Sequence, residues 1–169
     1  QRQMCIRDSN GVDWFRTASA IVKHGMSQGG STITQQLIKN LTGDKDVTIV
    51  RKFREILYAL NLERNYSKDE ILEAYLNTIY LGEGCYGVKT AAEKYFGKDV
   101  SELNLAECTA LLGITQYPYK YDPLVNPENN KARQKYGLDV LLEEGTISQK
   151  EYDEAIAYSL VFTNSKEYK

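Results

Sequence analysis

The chain reads as an all-α domain, and three observations carry that reading. Apolar side chains recur three and four apart along nearly the whole length, as one face of a helix requires. The pairs Ser67–Glu70 and Ser148–Glu151 have the spacing of a reciprocal cap on a helix's first turn. All three prolines fall within Tyr117–Pro127, a segment read as extended. A length of 169 residues suffices for one ordinary domain with a core of its own. No fixed-period repeat is present, which argues against a solenoid, and no low-complexity linker divides the chain. The expectation is one helical domain in two lobes.

The elements follow in order. Trp14, Phe15, Ala18, Ile21 and Val22 are helically spaced, so a helix is predicted over Val12–Lys23 with Asp13 at its start. His24–Gln28 is read as a loop and Ser31–Leu41 as a short helix. Asp46 is placed as the cap of a longer helix, about Val47–Arg64, with Ile49, Val50, Phe53, Ile56, Leu57 and Leu60 as its apolar stripe. Ser67 opens the next, carrying Ile71, Leu72, Tyr75, Leu76 and Ile79. After a loop with Gly82, Gly84 and Gly87, a helix covers Val88–Tyr95 and stops before Gly97. Ser101 is placed at the start of the following helix, with Leu103, Ala106, Ala110 and Leu111 inward. Glu128–Glu144, closed by Gly145, and Ser148 to about Tyr158 complete the set, before the strand-like Leu160–Phe162.

Composition excludes several classes. Hydrophobic content of 42% and charged content of 26% belong to a folded chain rather than a disordered one. A formal charge of −2 gives no push toward nucleic acid. No apolar run approaches the length that crosses a bilayer, and no signal peptide is visible. Cys5, Cys85 and Cys108 are odd in number and lack metal or redox spacing. His24, the only histidine, has no partner at ligand spacing and reads as an incidental loop residue. The chain opens on Gln1 and stops just after a strand-like stretch, so it reads as a piece of a longer one.

The chemistry concentrates between Gly29 and Glu55. Gly29 and Gly30 let backbone approach a ligand, and Ser31 or Thr32 caps the helix that follows. N–H groups at that helix start favour an anion. Gln35 and Gln36 add neutral donors, and Lys39 adds a charge about two turns on. The Gly-Lys-Ser/Thr signature of a P-loop is absent. Arg51 and Glu55 share a helix face and by default form a surface ion pair. Lys39, Arg51, Lys52 and Glu55 come from helices joined by a short turn, however, and their convergence would suit a diphosphate and its departure.

Four motifs then match one family in order. Gly29–Gln36 with Lys39 and Asn40, the run Arg51-Lys52-x-x-Glu55, the stretch Lys68–Gly87 continuing through Ala91, Ala92 and Tyr95–Lys98, and Leu103–Glu107 with Ala110–Gly113, Pro118, Tyr121 and Pro123 resemble the second to fifth motifs of the peptidoglycan glycosyltransferases. These are glycosyltransferase family 51, the transglycosylase domains of class A penicillin-binding proteins and their monofunctional relatives. The resemblance spans about Gly11–Pro127. It implies a lysozyme-like all-α fold and polymerisation of lipid II into glycan strands, with release of undecaprenyl diphosphate. The implied setting is the extracytoplasmic face of the bacterial membrane, with lipid II, the growing strand, the membrane surface and the cell-wall synthesis machinery as partners. Carried over, Lys39 and Arg51 bind the diphosphate. Gly30, Ser31, Thr32, Gln36 and Asn40 line the donor site. Glu55 is a second acidic residue that assists the leaving group directly or through a divalent cation, Mg or Mn. Residues Val12–Gln28 belong to a small lobe that dips into the membrane, where Trp14 and Phe15 suit the interface.

The first motif departs. It should supply the Glu that deprotonates the acceptor 4-hydroxyl, yet counting back from Gly11 puts Arg2 at that Glu, Gln3 at the Asp, Ile6 at the Phe and Ser9 at the His. The expectation is therefore an unmatched or misjoined start over residues 1–10, a truncated domain over 11–160, the start of a linker over 161–169, and a chain inactive by itself. Val47 stands where relatives often carry Arg, with Lys45 as a substitute. The alternatives are a lysozyme-like glycoside-cleaving enzyme, which needs an acid in a groove but no cations, and a non-enzymatic helical module for protein partners.

Overall fold

The computed structural model describes residues 11–12, 31–43 and 48–163. Among them are seven α-helices and no strand. The predicted helix beyond Val12, with Trp14 and Phe15, lies outside the described residues, as do His24, Gly29, Gly30, Lys45, Asp46 and Val47. The chain divides into two compact units between Ile79 and Tyr80.

The first unit holds α1 (Ile33–Thr42), α2 (Ile49–Asn65) and α3 (Lys68–Thr78). The Thr32 hydroxyl caps α1 by accepting from the Gln35 N–H, and the Gln35 side chain accepts from the Thr32 N–H in return. Gly43 ends the helix at φ 61°, where a side chain would be strained. α2 begins later than expected: Thr48, not Asp46, accepts from the Arg51 N–H. Its apolar stripe also differs from the expected one. Ile56 and Ala59 are buried with Val12 and packed by Leu60. Ile49, Val50, Phe53 and Leu57 are all more than half exposed. The inward stripe is instead Lys52, Glu55, Ile56, Ala59 and Glu63, spaced one to four apart on one face and mixing charge with apolar surface. Glu63 is held there by the Thr34 hydroxyl, which donates to it, and by its pairing with Lys68 at the head of α3.

The second unit holds α4 (Val88–Phe96), α5 (Leu105–Ile114), α6 (Pro127–Glu143) and α7 (Gln149–Ala157). The helix predicted from Ser101 is really two elements. Asp99 caps a 3₁₀ turn over Val100–Glu102, Leu103 is extended, and Asn104 with Glu107 forms the capping box of α5. Two buried amides bind α6 to α5. Asn130 donates to the Ala110 and Tyr121 carbonyls and Gln134 to the Ala106 carbonyl. The strand-like Leu160–Phe162 forms no strand. Phe162 stacks on Phe96 at 5.4 Å between ring centroids, and the Thr163 N–H donates to the Tyr95 carbonyl. A short apolar run thus finds a buried partner on a helix rather than a neighbouring strand.

Candidate functional site

α1 and α2 pack together, and between them lies an open pocket of about 190 Å³. Ile38, Lys39 and Thr42 line it from α1. Arg51, Arg54, Glu55 and Tyr58 line it from α2. Three cations therefore share a pocket with one carboxylate among the described residues. Glu55 is only 6% exposed. Its Oε1 takes the Lys52 ammonium and its Oε2 lies 3.8 Å from Arg51 Nη1. A buried carboxylate needs such partners, because its charge is otherwise far costlier than in water.

A hydrogen-bonded chain runs back from Glu55 to the start of α1. Lys52 Nζ donates to Ser31 Oγ at 2.9 Å. The Ser31 carbonyl accepts from Gln36 Nε2 at 3.4 Å, and Gln36 Oε1 accepts from the Tyr75 hydroxyl at 3.3 Å. Lys52 thus supports Glu55 from behind instead of lining the pocket with Lys39 and Arg51.

The expected site residues divide into those the pocket gathers and those it does not. Lys39, Arg51 and Glu55 meet in the pocket, and Ser31 and Gln36 join them through Lys52. Thr32 does not line the pocket: its hydroxyl donates to the Gly11 carbonyl at 2.6 Å and caps α1. Asn40 is exposed on α1, off the pocket wall. Gly30 lies outside the described residues. Sequence reasoning missed Arg54 and Tyr58. The signal was present, since positions 51, 54 and 58 are three and four apart and fall on one helix face.

Burial pushes the Tyr75 phenol up from 10.0 to about 12. A pKa raised in the folded state contributes stability that is complete below the unfolded value and lost as pH rises through the folded one. Stability is therefore expected to fall by about 2 kcal/mol between pH 10 and 12 on account of this group. Tyr75→Phe, which cannot ionise, should flatten that part of the curve in urea titrations across the range. An unchanged alkaline slope would show that Tyr75 does not carry it.

Among the described residues no three His, Cys, Asp or Glu side chains are grouped as a metal ion would need. Among the described residues Glu55 is a single carboxylate between two cations, a donor set that does not by itself fit a divalent ion.

Comparison with known proteins agrees with this architecture. The family model described as Transglycosylase matches residues 6–142. Penicillin-binding protein 1A of Neisseria cinerea is 47% identical over 150 residues, covering 86% of this chain and 19% of that protein. Penicillin-binding protein 1A of Aquifex aeolicus is 46% identical over 142 residues, covering 84% and 20%. The chain spans about one fifth of the length of these relatives. The crystal structure of penicillin-binding protein 1A from Haemophilus influenzae superposes with a TM-score of 0.56 at 30% identity, covering 78% of this chain and 17% of that one.

Proposed function

Because the chain belongs to the transglycosylase family, a lysozyme-like peptidoglycan glycosyltransferase of the class A penicillin-binding type, we propose that the α1–α2 pocket holds the diphosphate of lipid II. The observation that carries this is the convergence of cations: Lys39, Arg51 and Arg54 line one pocket, and Glu55, the carboxylate in its wall, is engaged by Lys52 from behind. A diphosphate matches that charge, and a glycoside hydrolase has no use for it. In the reaction, the acceptor 4-oxygen bonds to C1 of the donor sugar and the C1–oxygen bond to the diphosphate breaks. The electron pair leaves on undecaprenyl diphosphate, where Lys39 and Arg51 stabilise the growing charge. The acceptor proton goes to a base. Glu55, with both oxygens facing cations, is a poor candidate for that base; it fixes Lys52 and Arg51 in place. The first-motif Glu is the base by family resemblance, and Arg2 stands at its counted position, so the chain alone is expected to be inactive.

This reading places the domain at the extracytoplasmic membrane face, with lipid II and the growing glycan strand as its ligands. It is tested by binding of a lipid II analogue to the chain and to a Lys39→Ala/Arg51→Ala double variant. Removing each charge-assisted hydrogen bond is expected to weaken binding by about tenfold or more. Equal weak binding by both would remove the diphosphate site and leave the fold alone standing.

A further inference from the structure

We propose that Arg54, which lies between the two fixed ends of the Arg-Lys-x-x-Glu motif, is a second guanidinium on the diphosphate and makes the pocket selective for two phosphoryl groups over one. The proposal rests on the diphosphate reading above. Arg51 and Arg54 line the same pocket from the same helix. Residues three apart on a helix are surface neighbours, with Cβ atoms roughly 5–6 Å apart. One tetrahedral anion seated between Arg51 and Lys39 fills its oxygens with those two cations and engages a single guanidinium. A diphosphate, with two adjoining anionic groups, reaches both guanidinia from one position. The planar fork of Arg suits this, because it grips two oxygens of one phosphoryl group at once. Tyr58 stands one turn beyond Arg54 on the same wall. The Arg51–Tyr58 ladder runs about 10 Å along the helix axis.

The test uses the full chain and two soluble probes, farnesyl diphosphate and farnesyl monophosphate. Arg54→Ala is expected to weaken diphosphate binding by about tenfold to a hundredfold and to leave monophosphate binding nearly unchanged. Arg54→Lys should restore part of the affinity, since a point charge remains without the fork. Arg64→Ala, at the far end of α2, controls for net charge. Three results would overturn the proposal. If Arg54→Ala binds the diphosphate as the parent does while Lys39→Ala does not, Arg54 is no part of the site and the diphosphate reading survives. If Arg54→Ala weakens both probes alike, or no more than Arg64→Ala does, selectivity does not come from Arg54. If the parent chain binds neither probe, the diphosphate reading fails and Arg54's role falls with it.

Discussion

Glu55→Gln is expected to lower glycan polymerisation by about a hundredfold or more, in a chain whose first motif reads Glu-Asp. The amide keeps the shape of the side chain and one acceptor oxygen but removes the negative charge that Lys52 and Arg51 share. Those cations then lose the group that orients them. Arg51, on the pocket wall, then lacks the carboxylate that its Nη1 faces at 3.8 Å. Under the proposed diphosphate reading the effect should fall mainly on kcat rather than on KM for lipid II, because Lys39 and Arg54 remain on the pocket wall. Turnover is measured with labelled lipid II, and circular dichroism confirms that the helices persist. Turnover within about twofold of the parent would show that Glu55 has no part in departure of the diphosphate.

The second large effect is on stability. Gly82→Ala is expected to cost about 2–4 kcal/mol, and thus about 5–15 °C in Tm. Gly82 sits at φ 82°, where any side chain is strained. A Cβ there would also lie 2.8 Å from the Tyr95 hydroxyl and 3.3 Å from Asp122 Oδ2. That hydroxyl is buried and donates to the Leu81 carbonyl at 2.9 Å. It cannot retreat without breaking this bond. Gly84→Ala separates the two causes: Gly84 has φ 75° but nothing within 4 Å of its Cβ. It should cost only the backbone strain, about 1–2 kcal/mol. Equal destabilisation of the two variants in thermal unfolding would show that crowding against Tyr95 contributes nothing.

Local rules written in the chain determined the helices themselves. Ser67 with Glu70 and Ser148 with Glu151 cap the helices they were expected to open, and Gly97 and Gly145 end theirs at positive φ. These interactions stay within four residues, so neighbours in sequence settle them. The order of motifs likewise determined the family, because spacing along the chain is all that such a match requires. Boundaries were less legible, since the caps expected at Asp46 and Ser101 are not the ones the helices use. Thr48 prevails over Asp46, and Asn104 over Ser101, because the first turn's N–H groups reach only the residue directly ahead of them.

Which face of α2 turns inward was decided only by the tertiary structure. Periodicity favoured Ile49, Val50, Phe53 and Leu57, since it ranks residues by apolarity alone. Glu55 and Glu63 are drawn toward α1 and α3 by the partners that wait there, Ser31 through Lys52, Thr34 directly and Lys68. Ser31, Thr34 and Lys68 come from other segments, so no window on α2 contains them. That rotation carries Arg54 and Tyr58 to the pocket with Arg51, and turns Lys52 from a pocket cation into the support behind Glu55. The sequence determined that these charges exist; packing against α1 decided which of them line the pocket.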